Sequence, residues 1–247
     1  MAAKTLATPE DAYFEFFRAD SAKEAEAWAA VMSYPHVRVS AAGRVDYYAT
    51  AEDYASRASW DAREATGWVR SRGIEPVRLQ ESADKVHLAG GWTRFNADDE
   101  PILRNRVTYI LTRIDDSWGI QARFGTDSFA QAEESDVSGA VGVVERHLQD
   151  FVQGDLDSVV GAFGFPLVDV GVGRVVRHAD AAGARAALAA APSPRVIEEV
   201  GAAQTRRDGV VVAARWLAED EVHVSAVFLV ARQEDRWRIV GFSGMRD

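Results

Sequence analysis

An α+β fold, written twice in tandem, is what the sequence predicts, and three observations predict it. The stretch "YPHVRVSAAGRVDYY", Tyr34 to Tyr48, returns about 130 residues later as "FPLVDVGVGRVVRH", Phe165 to His178. Each copy comes after a helical pattern and precedes a short helix and three strand-like segments. Both halves then close on matching hairpins, "RIDDSWGIQARFG" and "RQEDRWRIVGFSG", with Trp118 and Trp237 in equivalent places. Helices first, then a strand pair, then a long antiparallel meander is the order of helices packed on one face of a sheet.

In "TPEDAYFEFFRADSAKEAEAWAAVM", at the start of the chain, Thr8 is an N-cap and Pro9 takes the first helical position; Glu10 and Asp11 suit the positive end of the helix dipole. Phe14, Phe17, Trp28 and Val31 lie at helical spacings, with a break near Asp20–Ser21. The second half opens with "DVSGAVGVVERHLQDFVQGDLDSVVGAF". There Val144, Leu148, Phe151 and Val152 form one stripe, Gly154 breaks it, and Leu156, Val159, Val160 and Phe163 form the next. After each strand pair comes a short helix, "TAEDYASRASW" or "DAAGARAALAAA". The expected strands are "KVHLAGGWTRF", "ILRNRVTYILTRI" and "WGIQARFG", then "GVVVAARWLA", "EVHVSAVFLVARQ" and "RWRIVGFSG". They are rich in β-branched and aromatic residues and separated by turn residues. The first half carries an extra stretch, residues 60–75. Composition makes "SFAQAEESDVSG", residues 128–139, the linker, so the domains are expected at 1–130 and 137–247.

Length and composition bound the function. The 247 residues are enough for two domains, each with its own core. Net charge is −10; residues 1–130 hold 16 Lys and Arg against 20 Asp and Glu, and the remainder 12 against 18. Two mildly acidic halves argue against nucleic acid as a partner. The absence of cysteine excludes disulfides, thiolate metal sites and a cysteine nucleophile. No apolar run is long enough to span a bilayer, and "MAAKTLATPEDAYFEF" lacks the apolar core of a signal peptide, so a soluble, cytoplasmic chain without a membrane partner is expected. There is no GxGxxG after a strand, no P-loop and no HExxH. The five histidines show no ligand spacing, and "GVGR" at 171–174 reads as a hairpin turn. No metal or other cofactor is expected.

The "FFRAD" and "FVQGD" helix ends, the "YP" and "FP" strand entries and the final hairpins together resemble the nuclear-transport-factor-2-like fold. The similarity is to its SnoaL-like and ketosteroid-isomerase-like branch, duplicated over nearly the whole chain. The resemblance implies two cone-shaped domains, each with helices on a curved, mostly antiparallel sheet. It also implies a pocket for an apolar small molecule inside the cone, and pairing of domains through the sheet. A tandem chain would then form its own pseudo-dimer, with or without a further homodimer.

The repeated strand pair is where chemistry is expected. His36, Arg38 and Ser40 share one face of a strand, and Val37 and Val39 share the other, read as the core side. A solvated polar face needs no function; the functional reading makes His36 an acid or base and Arg38 an anion holder. The matching positions in the second half are Leu167, Asp169 and Gly171. Ketosteroid-isomerase relatives place a general base near this strand pair and an oxyanion-binding tyrosine and acid deeper in the cone. Here Asp169 is the candidate base of the second half, and Tyr13 is a candidate phenol donor whose counterpart falls near Val144. Neither half carries the full set, and no Asp-Arg-Asp relay of the epoxide-hydrolase kind is legible. Among Arg94, Arg104, Arg106, Arg113 and Arg123, the bland reading is an exposed sheet face covered by aliphatic stems. The sharper one sends Arg123 into the cone beside Trp118. Trp60, Trp68 and Trp92 occur only in the first half, as core or as an aromatic ligand wall.

Three functions stay open. The first is binding of a small hydrophobic molecule, with or without a carboxylate, by Arg38, Tyr13, Trp60, Trp118 and Arg123. The second is a cofactor-independent isomerase, cyclase or hydrolase using His36 or Asp169 as base. The third is a structural protein with filled cones. Any pocket is expected in the first domain, with the second structural.

Overall fold

The computed structural model describes residues 5–126 and 129–246. Within them the chain divides into two compact units. One holds the residues up to Arg38, Asp46–Arg123 and Val172–Arg174; the other holds Val39–Val45, Phe124–Gly171 and Val175 onward.

The first unit opens with α1 (Pro9–Ala22) and α2 (Ala25–Ala29). The Thr8 hydroxyl accepts the Asp11 N–H at 3.0 Å and the Asp11 carboxylate accepts the Thr8 N–H at 3.0 Å, a reciprocal cap. The break expected near Asp20–Ser21 falls two residues later. Lys23 takes the left-handed conformation (φ 59°), and its N–H satisfies the carbonyls of Ala19 and Asp20. Ala12, Tyr13, Phe16 and Phe17 make the buried face of α1.

The strand pair β1 (Met32–Ser40) and β2 (Val45–Tyr48) leads into α3 (Ala51–Ser56) and α4 (Asp61–Glu64). The strands β3 (Arg70–Gly73), β4 (Val77–Glu81), β5 (Lys85–Phe95), β6 (Pro101–Ile114) and β7 (Ser117–Gly125) complete the unit. Seven strands run β2-β1-β7-β6-β5-β3, with β4 also paired to β5. The far half of β5 serves β3 and the near half β4. Gly91 sits where β5 presses on β6: its φ is +143°, and an added Cβ would lie 2.1 Å from the Asn105 carbonyl oxygen.

The second unit repeats the plan with α5 (Glu134–Val152), α6 (Leu156–Gly161), β8 (Phe163–Gly171), β9 (Arg174–His178) and α7 (Ala181–Ala189). Its sheet is finished by β10 (Pro194–Arg206), β11 (Gly209–Ala218), β12 (His223–Gln233) and β13 (Arg236–Arg246). Its sheet order, β10-β11-β12-β13-β8-β9, is the first unit's order read from the opposite edge. The equivalence extends to single bonds. Ile120 N–H donates to Val31 O at 3.0 Å, and Ile239 N–H donates to Ala162 O at 3.0 Å. Both aromatic-proline peptide bonds, Tyr34–Pro35 and Phe165–Pro166, are cis. The α+β fold of two helix-then-sheet units in tandem is therefore observed.

Three local expectations are corrected. Helix α5 starts at Glu134, inside the stretch read as linker, because Glu133 and Asp136 form a reciprocal cap that polar composition alone disguises. Strand β3 lies in the extra stretch of the first half, β4 comes just after it, and β10 occupies "PRVIEEVGAAQTR". These are sheet-edge strands with many exposed positions, so their apolar alternation is weak.

Each unit has its own core. The first joins Tyr13, Phe16, Trp28, Tyr54, Tyr109 and Ile120; the second joins Val144, Leu148, Leu167, Phe228 and Ile239. His147 on α5 is 4% exposed, and its Nδ1 lies 3.2 Å from the Val159 carbonyl oxygen. Burial holds its pKa at about 4 against an ordinary 6.5. The unfolded chain takes up this proton near pH 6.5, whereas the folded unit refuses it until about pH 4. Stability is thus complete above 6.5 and falls by up to about 3 kcal/mol on acidification through that window. Urea midpoints measured from pH 7 to 4 should drop less for His147→Gln than for the parent; equal slopes would refute the assignment.

Candidate functional site

Strand β1 carries the two residues singled out in the repeat, but with a reversed sense. Val37 and Val39, read as the core side, are buried at 0% and 2% exposure, yet they are not part of the first unit's core cluster. The polar face is the one that meets that cluster. His36 is fully buried, with its ring 5.5 Å from Tyr54 and 5.9 Å from Tyr48. The hydrophobicity of alternate residues misassigned the face because both sides of β1 are covered.

Arg38 lies in an aromatic cage. Its guanidinium is 5.0 Å from the centre of Tyr54, 5.4 Å from Trp28 and 5.6 Å from Tyr48, and it donates to the Tyr54 hydroxyl. Arg123, on β7 beside β1, stacks at 5.1 Å over Phe16 and 5.4 Å over Tyr109. In the second unit the equivalent positions, Asp169 and Phe242, are direct register partners of β8 and β13. Arg38 and Arg123 lie on the adjacent strands β1 and β7. Neither can shed its proton. Among the described residues neither forms an ion pair with a carboxylate, and Asp46 on β2 attracts Arg38 only from beyond pairing distance.

Other groups sharpen this positive interior. Burial and the neighbouring guanidinium of Arg63 pull Arg94 below its ordinary pKa, with Arg123 adding to the effect and Asp20 opposing it. Arg94 also lies 4.3 Å over the Trp92 ring. Burial first, then Arg38 and Arg123, hold His36 well below its ordinary value, so it is neutral at physiological pH. Its Nδ1 lies 2.8 Å from the Ile120 carbonyl oxygen and must therefore carry the proton; its Nε2 is left as a buried acceptor without a donor. Four more enclosed polar atoms of this interior make no hydrogen bond: Trp28 Nε1, Arg38 Nε, Arg123 Nε and the Tyr109 hydroxyl, although the Arg123 head lies near that hydroxyl. Buried polar atoms are ordinarily paired, so such a concentration is unusual.

One carboxylate of this region is already engaged. Asp20, 2% exposed at the end of α1, accepts two bonds from Arg63 Nη1 at 2.7 and 2.8 Å and one from Trp60 Nε1 at 3.1 Å. These bonds, with the Lys23–Glu64 ion pair, fasten the short, unburied α4 to the end of α1.

Tyr13 is buried against Tyr109, and its hydroxyl is bound between the carbonyl oxygens of Ile74 (2.7 Å) and Gly91 (2.6 Å). It holds backbone rather than presenting the free donor expected from sequence. Tyr13→Phe should cost about 1–3 kcal/mol, read as a lower urea midpoint, because the Ile74 and Gly91 carbonyls lose the donor they share and the Gly91 N–H loses an acceptor. Trp60 packs on Trp28 at 5.7 Å, and Trp118 is a buried member of the same core. Asp169 belongs to β8 of the second unit. There Leu167, Phe228 and Phe242 stand where the first unit has His36, Tyr109 and Arg123. The geometry thus gathers His36, Arg38, Arg123 and Trp60 around one aromatic cluster and adds Asp20, Trp28, Tyr48, Tyr54, Arg63, Arg94 and Tyr109. Tyr48 and Tyr54 were legible as aromatics of the repeat region and its helix. Asp20 and Arg63 gave no sequence signal, since 43 residues separate them.

The second unit has an open groove of about 1000 Å³ lined by residues of α6, α7 and the β12–β13 hairpin. Its arginines are spoken for in part: Arg185 pairs with Asp157, and Arg238 donates to the Gly161 carbonyl. Among the described residues no cluster of His, Asp and Glu could hold a metal ion, and no helix is long and apolar enough to cross a membrane.

No protein-family profile matches the chain, and no curated protein matches it. Solved structures do. A protein of unknown function from the DUF3225 family of Pectobacterium atrosepticum is 15% identical with a TM-score of 0.40, over 47% of this chain and 93% of that one. An NTF2-like protein with a cystatin-like fold from Novosphingobium aromaticivorans is 10% identical (TM-score 0.38), over 47% of this chain and 77% of that one. A putative calcium/calmodulin-dependent protein kinase type II association domain from Thiobacillus denitrificans is 19% identical (TM-score 0.39), over 50% of this chain and 97% of that one. The tandem fold rests on the strand order and register above rather than on these scores.

Proposed function

We propose that the first domain, residues 1–130, binds a small hydrophobic molecule among the aromatic rings of its interior, and that the second, residues 137–247, is structural. The observation that supports this is the set of five enclosed polar atoms without partners inside an otherwise apolar core. A core built only for stability pairs such atoms or replaces them with apolar groups; the second unit has Leu167, Phe228 and Phe242 at the positions of His36, Tyr109 and Arg123, though its Trp216 Nε1 is also enclosed without a partner. A ligand with an apolar body and a polar head satisfies both halves of the pattern. His36 Nε2 would accept from a ligand hydroxyl or amide.

Native mass spectrometry of the purified protein tests the reading, together with tryptophan fluorescence titrated with 2-naphthylmethanol. The expected result is an extra mass released on unfolding, or saturable quenching by the probe. A bare chain with no saturable response would sink it.

A catalytic reading draws on the same His36 Nε2, which is a lone pair in position to take a proton. Its depressed basicity weighs against that role near neutral pH and in favour of a hydrogen-bond acceptor.

A further inference from the structure

Resting on that reading, we infer that the ligand is an organic carboxylate whose head is clamped between Arg38 and Arg123 in the interior of the first unit.

Negative charge is what this interior lacks. Arg38 and Arg123 lie on neighbouring strands, and the head of each lies over aromatic rings. Each keeps an enclosed Nε without a partner, and among the described residues neither is in an ion pair. Arg94 and Arg63 add two more guanidiniums to the same interior, while Asp20 is taken up by Arg63 and Trp60. Asp46 attracts Arg38, but among the described residues no carboxylate pairs with Arg38 or Arg123. A guanidinium presents a planar fork of donors that matches a carboxylate in two parallel bonds, so the missing group is a planar oxyanion. The rings of Phe16, Trp28, Tyr54 and Tyr109 surround the two guanidiniums with apolar surface, which calls for a hydrocarbon body behind the head and disfavours a free inorganic anion. The fully buried Tyr109 hydroxyl is a further donor for the carboxylate. In the second unit the pair becomes Asp169 and Phe242, so the clamp belongs to one copy of the repeat.

The test compares 2-naphthoate with its neutral counterparts 2-naphthamide and 2-naphthylmethanol on the intact protein. Fluorescence titration should give naphthoate a Kd at least about tenfold lower than either neutral compound. Naphthoate should also raise the thermal midpoint where the neutral compounds at equal concentration raise it less, a measurement that needs no variant. Arg38→Met and Arg123→Met should each bring the ratio of the naphthylmethanol Kd to the naphthoate Kd down toward one. If either variant does not fold, the midpoint shifts of the parent still decide. Sodium sulfate at millimolar concentration should leave the naphthoate Kd within about twofold; strong competition would overturn the organic body of the ligand. Equal binding of all three naphthalenes would overturn the carboxylate clamp and leave the binding function standing. Binding of none, with no extra mass on the purified protein, would overturn both.

Discussion

Asp20→Ala is expected to destabilise the first unit by about 3–5 kcal/mol, a large part of the stability of a domain of this size. The carboxylate is 2% exposed and accepts from both the Arg63 guanidinium and the Trp60 indole. Removing it leaves Arg63 next to Arg94 with its counter-charge gone, so the loss is larger than that of one hydrogen bond. It also unfastens α4, whose residues have no buried anchor of their own. Urea denaturation monitored by tryptophan fluorescence reads the effect. Removing both members of the pair should cost less than removing the carboxylate alone, because the stranded cation disappears with its partner. A double variant Asp20→Ala/Arg63→Met no more stable than Asp20→Ala would contradict the stranded-charge explanation.

Gly91→Ala is the second large effect, and it acts through backbone rather than charge. A φ of +143° is closed to side chains with a Cβ, and the added carbon would stand 2.1 Å from the Asn105 carbonyl oxygen and 2.9 Å from the Arg106 Cα. Relief requires β5 to separate from β6 at the middle of the sheet. It would also disturb the Gly91 carbonyl and N–H, both of which meet the Tyr13 hydroxyl. The first unit should lose several kcal/mol and unfold at markedly lower urea. Gly161→Ala is the matched comparison: it lies in α6 with an ordinary φ and nothing within 4 Å of the new carbon. That change should be neutral or stabilising by less than about 1 kcal/mol. Similar losses in the two variants would mean that the glycine of β5 is not under the constraint described.

Much of this architecture was legible because it is written twice. The aromatic-proline strand entries, the Gly154 stop and the terminal hairpins mark the same joints in both halves, and those joints are where the structure has them. The edges of the sheets were not legible. Strands β3, β4 and β10 expose many residues, so period-two alternation fades and β-branched content no longer separates strand from loop. At the site, sequence singled out His36 and Arg38 together on one strand face, and Arg123 and Trp60 separately. It had no means of showing that Asp20 meets Arg63, because that contact is made by the fold rather than by local spacing. Nor could alternation tell which face of β1 looks inward, since a strand covered on both sides gives the same pattern whichever way it points. The histidine and arginine are placed among tyrosines and a tryptophan, a burial that average residue preferences count against.

The guanidiniums of the adjacent strands β1 and β7 have a physiological corollary. A chain that houses uncompensated like charges in its interior is at its least durable when empty, and anything supplying the opposite charge to the native state alone shifts the equilibrium toward it by mass action. In a cell, where proteases sample the unfolded fraction, the standing amount of this protein would then rise and fall with the supply of its ligand.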